Sequence, residues 1–178
     1  MKLQTYISAG KIQEKVAELA SVIDNYLGDS EAVMIANLKG SVIFFSDLIR
    51  AMKSRNITTD FLSTESYAGT EHTGTVKITR DLSMDIAGKK VVLVEDILDT
   101  GLTLSHIMRY IRDIHQPADV KICVLLDKPA NRKVELSADF VGFTIKNEFV
   151  VGYGLDYAER YRTLPRICAM KPPAGADS

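Results

Sequence analysis

The chain has 178 residues, 46% hydrophobic and 25% charged, a balance that suits one globular domain with a sizeable core. Its 22 basic and 23 acidic residues leave a net charge of −1, which argues against the broad basic surface that nucleic-acid binding needs. Two cysteines without a CxxC pair argue against a disulfide framework or a zinc site, and no apolar run approaches membrane-spanning length.

The first residues, "MKLQTYISAGKIQEK", hold no apolar block of the signal-peptide kind, so the default expectation is a soluble, cytoplasmic protein. Ile12, Val16, Leu19, Ala20, Ile23 and Leu27 then recur at helical spacing, and Gly28 follows as the C-cap. The run "AVMIANL" (32–38) is nearly all apolar and short, which predicts a buried strand interrupted by Lys39 and Gly40. Residues 41–54 read as a helix with Val42, Phe45, Ile49 and Met52 inward, and 58–66 as a β-prone segment. Residues 67–81 are polar and Gly-containing, either a surface hairpin or a mobile loop. "VVLVE" (91–95) is a second buried strand. Leu104, Ile107, Met108, Ile111 and Ile114 mark a helix that Pro117 stops, and "VKICVLLD" (120–127) is a third buried strand with Cys123 as a small core residue. "DFVGFTI" and "FVVGYG" add short β segments, and residues 171–178 read as a disordered tail behind a single domain of residues 1–170. Strand and helix alternate, and the strands are apolar on both faces, which is the grammar of an α/β fold around a parallel sheet.

The stretch "VVLVEDILDTGLTL" (91–104) carries the chemistry. Glu95 and Asp96 stand at the carboxyl end of a strand, where open parallel sheets bind ligands. Thr100, Gly101, Leu102 and Thr103 lead into a helix, so backbone N–H groups, the helix N-terminus and two hydroxyls converge as a small phosphate cup. The acids need another target, and vicinal sugar hydroxyls are donors that carboxylates accept. A sugar phosphate, with a divalent cation offsetting charge, satisfies both halves. A receiver-type signalling domain also clusters acids at strand ends, but it would need an acidic pair after the first strand, where this chain has Leu38, Lys39 and Gly40.

"VVLVEDILDTGLT" resembles the phosphoribosyl pyrophosphate motif of type I phosphoribosyltransferases. "ANLKGSVIFFSDLIR", Ser66 with Tyr67, "LLDKP" and "FVVGYGLDYAERYR" are similar to the hypoxanthine–guanine branch of that family, over nearly the whole chain. The resemblance implies a central, mainly parallel sheet flanked by helices, with a small hood and a flexible lid loop. It implies Mg²⁺-dependent transfer of phosphoribose to hypoxanthine, and to guanine, in purine salvage, by a homodimer or homotetramer. A xanthine-preferring relative and a regulatory protein that senses phosphoribosyl pyrophosphate are the alternatives. A regulator would carry a basic face or an added domain.

By the same resemblance, Asp99 is the general acid/base near N7 of the purine. Glu95 and Asp96 face the ribose hydroxyls, and residues 99–103, with Leu102 where some relatives carry a basic residue, hold the 5′-phosphate. Lys39 and Gly40 form the pyrophosphate loop, in which relatives often hold a non-proline cis peptide before the lysine. Arg162 is a second pyrophosphate contact, and Arg132 assists it or shapes the neighbouring loop. Lys128, which has only donors to offer, reads the 6-oxo group. Phe149 stacks on the base and Val150 offers backbone groups to its edge. Asp156 is a metal ligand that also borders the base, with Glu95 and Asp96 near the metal. Ser66 and Tyr67 start the lid. Tyr153 and Tyr157 read as packing residues, and His72, His106 and His115 lack metal-ligand spacing.

Overall fold

Residues 2–66 and 76–171 are described by the computed structural model. Among the described residues nine strands and three α-helices follow in the order β1 (Lys2–Ile7), α1 (Ala9–Leu27), β2 (Ala32–Leu38), α2 (Val42–Ala51), β3 (Ile57–Ser66), β4 (Val76–Arg80), β5 (Lys90–Leu98), α3 (Leu102–Tyr110), β6 (Asp119–Asp127), β7 (Phe140–Thr144), β8 (Val150–Val151) and β9 (Ile167–Lys171). The large sheet has the order β4-β3-β2-β5-β6-β7. All its neighbours pair in parallel except β3 with β4, which are antiparallel. A smaller antiparallel sheet joins β1, β9 and β8.

The apolar runs explain the layering, because successive strand side chains point to opposite faces. Met34, Ala36, Val92, Val94, Cys123 and Leu125 pack on one face with α1 and α2. Val33, Ile35, Val91, Leu93, Ile122 and Val124 pack on the other with Leu104, Ile107 and Met108 of α3. Helix α1 begins where the Ser8 side chain accepts from Lys11 N, and it ends at Gly28, whose φ of 57° suits a residue without a β-carbon.

Several expectations need correction. Val42 is 38% exposed, and the inward face of α2 is Phe44, Phe45 and Leu48. The helix starts one residue before Ile43 and places Val42 on its first, solvent-facing turn. Ile114 is 62% exposed because α3 widens into a π turn at Ile111–His115, which Gln116 ends with a left-handed φ of 48°. Strand β5 does not stop at Glu95 but runs on to Leu98, pairing Leu98 with Asp127. Helix α3 starts at Leu102, not near Leu104. Strands β1 and β9 were not read from the sequence. Residues 76–80 form the return arm of a hairpin with β3, while Tyr67, the expected lid start, and residues 172–178 of the expected tail lie outside the described residues.

Candidate active site

From β2 the chain crosses to β3 on one side of the sheet, whereas β5, β6 and β7 lie on the other. The strand order therefore diverges between β2 and β5, and the crevice beyond their carboxyl ends is where ligands bind in such sheets. Leu38, Lys39 and Gly40 come from the end of β2, Glu95, Asp96 and Asp99 from β5 and its exit, and Lys128 from the end of β6. Three neighbouring parallel strands thus deliver their ends to one place.

Two clefts meet there. One, of about 240 Å³, is lined by Glu95, Asp96, Asp99, Thr100, Gly101 and Thr103, among others. The second, of about 250 Å³, is lined by Asp96, Ile97, Asp99, Lys128, Phe149, Val150, Leu155 and Asp156. Asp96, Ile97 and Asp99 belong to both. Leu102 stands at the rim, exposed, as the first residue of α3.

Asp99 Oδ2 lies 3.6 Å from Lys128 Nζ, and its Oδ1 is buried without a hydrogen-bond partner. A buried carboxylate oxygen with no donor is costly, and the group that bears this cost is the Asp99 carboxylate that lines both clefts. Phe149 is 53% exposed and rests against the edge of Tyr157 with ring centroids 5.7 Å apart. An exposed aromatic face in a cleft is a stacking surface, not core. Tyr153 is buried, and its hydroxyl donates to Asp47 Oδ2 at 2.6 Å, fastening this segment to α2. Val150 sits in β8 with its side chain in the core.

The acids are not equivalent. Glu95 is 6% exposed and accepts from Asn37 Nδ2 at 2.7 Å, while Thr64 Oγ1 donates to Asn37 Oδ1 at 3.3 Å. Burial pushes Glu95 well above the usual carboxylate range, the Asp96 charge adds to this, and the Asn37 hydrogen bond opposes it. Burial pushes Asp96 up to about 6, against the Ile97 amide and Arg162, with Asp156 adding repulsion. Gly40 lets the two loops close on Asp96.

The peptide between Leu38 and Lys39 is cis. Lys39 Nζ contacts Glu159 Oε2 at 3.2 Å. Arg162 donates to the Gly154 carbonyl at 2.8 Å and pairs with Asp156 at 2.9 Å and with Glu159 at 3.2 Å. The two cations expected to meet pyrophosphate are thus both held by one carboxylate. Arg132 does not join Arg162. It pairs with Asp127 and donates to the carbonyls of Leu98 and Asp99. Ser66 is the last residue of β3, at the edge of the hairpin.

Among the described residues no group of three or more His, Cys, Asp and Glu side chains converges as a metal cage. Mg²⁺ does not require one, because it keeps several waters and takes one or two carboxylates together with substrate oxygens. Asp96 and Asp156, two carboxylates whose charges repel beside Glu95, fit that mode. His115 instead bonds Asp81 at 3.1 Å, and neither residue lines the two clefts.

Sequence reasoning missed Asn37, Asp127 and Glu159. Asn37 carried a signal, a lone amide inside an apolar strand, since a buried polar group needs a partner. Asp127 and Glu159 carried none, because their partners are distant in the chain or set by turn geometry.

A strand-end crevice with an acid pair followed by a Gly-containing turn into a helix defines a class. The chain belongs to the phosphoribosyl transferase domain family, whose pattern matches residues 5–158, and it has the type I fold of that family. More particularly, it is 45% identical to a hypoxanthine-guanine phosphoribosyltransferase of Aquifex aeolicus over 93% of both chains. It superposes with a TM-score of 0.89 on the crystal structure of a hypoxanthine-guanine phosphoribosyltransferase from Bacillus anthracis, at 49% identity over 96% of this chain and 100% of that one. It is also 44% identical, over 93% of its length, to the bifunctional protein TilS/HprT of Listeria monocytogenes, of which it spans only 26%.

Proposed function

We propose that this protein is a 6-oxopurine phosphoribosyltransferase of purine salvage that takes hypoxanthine and guanine. The observation that carries the reading is the pair of adjoining clefts sharing Asp96, Ile97 and Asp99, one ending in the phosphate turn and the other in Lys128 and Phe149.

In this reading the 5′-phosphate lies on residues 99–103 and the ribose hydroxyls face Asp96, with Glu95 behind it. The purine stacks on Phe149. Lys128 donates to its 6-oxo group, which a 6-amino group, itself a donor, cannot accept. The Val150 backbone and Asp156 border the far edge. A purine ring nitrogen forms the new bond to C1 of the ribose as the C1–oxygen bond to pyrophosphate breaks, and the electron pair leaves with pyrophosphate. Positive charge builds on the sugar and then on the purine. Asp99, which lines both clefts, removes the proton at N7. Lys39, the Gly40 amide and Arg162 receive the leaving group once Glu159 gives way. Most of the rate comes from position and fixed charge.

Mg²⁺ held at Asp156 and Asp96, beside Glu95, would neutralise charge on the pyrophosphate. We place the enzyme in the cytoplasm, as a homodimer or homotetramer. Incubation with hypoxanthine, phosphoribosyl pyrophosphate and Mg²⁺ should yield inosine monophosphate and pyrophosphate. Absence of turnover with hypoxanthine, guanine and xanthine alike would remove the proposal.

A further inference from the structure

The back of the phosphate turn is unusually well held. Four successive carbonyls are all engaged by donors. Leu98 O accepts from Lys128 N and from Arg132 Nη1, each at 3.0 Å. Asp99 O accepts from the same Nη1 at 2.5 Å. Thr100 O accepts from Lys133 N at 2.9 Å, and Gly101 O from Ser105 N at 2.9 Å. Within a trans peptide unit the C=O and the N–H point in opposite directions. Holding the carbonyls of residues 98–100 therefore restrains the amides of residues 99–101, while the Leu102 amide donates to Thr100 Oγ1 at 3.4 Å.

Arg132 is the centre of this arrangement. One nitrogen spans two carbonyls while the other pairs with the Asp127 carboxylate, and both side chains are largely buried, at 16% and 20% exposure. The Arg132 side chain also supports the turn sterically. A β-carbon on Gly101, whose φ is 82°, would stand 3.2 Å from Arg132 Cδ and 2.8 Å from Val134 Cγ2. No bond joins Arg132 to Lys39, Arg162 or Asp156 among the described residues, so it does not serve the pyrophosphate side.

We propose that Arg132, oriented by Asp127, is a positioning residue that presets the turn amides for the 5′-phosphate. This rests on the reading of residues 99–103 as the phosphate site. Arginine is required because its planar fork meets three acceptors at once, whereas a lysine ammonium is a compact charge on a flexible stem. The pair works as a unit, so losing either member releases the same carbonyls.

Steady-state kinetics of the full chain test this. Arg132→Lys and Asp127→Asn should each raise KM for phosphoribosyl pyrophosphate about tenfold, a factor worth about 1.4 kcal/mol, and leave KM for hypoxanthine nearly unchanged. The double variant should be little worse than either single one. Guanidinium added to Arg132→Gly should restore part of the loss. Thr103→Val, a change in the turn itself, serves as the reference. If Thr103→Val raises KM for phosphoribosyl pyrophosphate and neither Arg132→Lys nor Asp127→Asn does, the positioning role is overturned. A joint rise in both KM values with a fall in Tm overturns it too, since that is general loosening. If Thr103→Val also has no effect, the phosphate site itself has been misplaced.

Discussion

Gly40 lies against Asp96 so closely that a β-carbon at residue 40 would stand 1.8 Å from Asp96 Oδ2. The same glycine meets a second one, because a β-carbon on Gly154 would stand 2.0 Å from the Gly40 carbonyl oxygen. Three segments distant in sequence therefore touch at points where only a hydrogen atom fits. This contact sets the distance between the Lys39–Gly40 loop and the acidic end of β5.

Gly40→Ala should fold and fail. The new methyl meets the end of a side chain, so the Asp96 carboxylate is displaced while the backbone stays. Activity should fall at least tenfold with Tm almost unchanged. Gly154→Ala meets backbone at a φ of 102°, and it should lower Tm as well as activity. Equal effects of the two on Tm would contradict this distinction.

Asp99→Asn should lower kcat by roughly 10²- to 10⁴-fold, the usual worth of a positioned base, with little change in KM for phosphoribosyl pyrophosphate. The amide keeps the shape of the carboxylate but cannot take the proton. An unchanged kcat would remove Asp99 from the reaction.

Glu159 occupies both Lys39 and Arg162 in the free protein. Pyrophosphate must displace it, so Glu159→Gln should strengthen product inhibition by pyrophosphate. These pairs are exposed and screened by solvent, so the inhibition constant should fall by only about 2- to 5-fold. Weaker inhibition would mean that Glu159 assists binding instead.

Asp96 gives a pH signature. Its carboxyl is pushed up to about 6 by burial, above its value in the unfolded chain. Its ionisation therefore costs folding energy, and the free protein loses stability as pH rises through about 6. Asp96→Asn should raise the Tm of the free protein at pH 8 relative to wild type, and the gap should narrow below about pH 6 and close towards about pH 4. A gain of about 1 kcal/mol corresponds to roughly 2–4 °C in a domain of this size. The same change should cost activity, as expected where function holds an unfavourable group in place. A constant Tm difference across the pH range would show that the raised pKa is not the cause.

Most of the central sheet was legible in the sequence because β2, β5 and β6 are buried on both faces and read as continuous apolar runs. Strand β1 was not, since "KLQTYI" is mostly exposed and acquires its identity only from β9, which arrives at the end of the chain. The carboxyl end of β5 was cut short because its acids resemble a strand terminus, yet Ile97 and Leu98 still pair with Leu126 and Asp127. In the site, residues carried by local motifs were legible: Glu95, Asp96, Asp99 and Lys128. Of the supporting residues only Arg132 stood out, as one that could shape the neighbouring loop; Asn37 beneath Glu95 and Asp127 beside Arg132 act through contacts that exist only after folding.

The central claim is that Lys128 and the cleft around it select a 6-oxopurine, and the comparison of kcat/KM for hypoxanthine with that for adenine tests it most directly. A site that places a buried donor opposite the 6-oxo group should reject the amino analogue by about 10²-fold or more, and Lys128→Ala should erase most of that ratio through KM for the base. Equal use of hypoxanthine and adenine, or a ratio that Lys128→Ala leaves intact, would contradict the account.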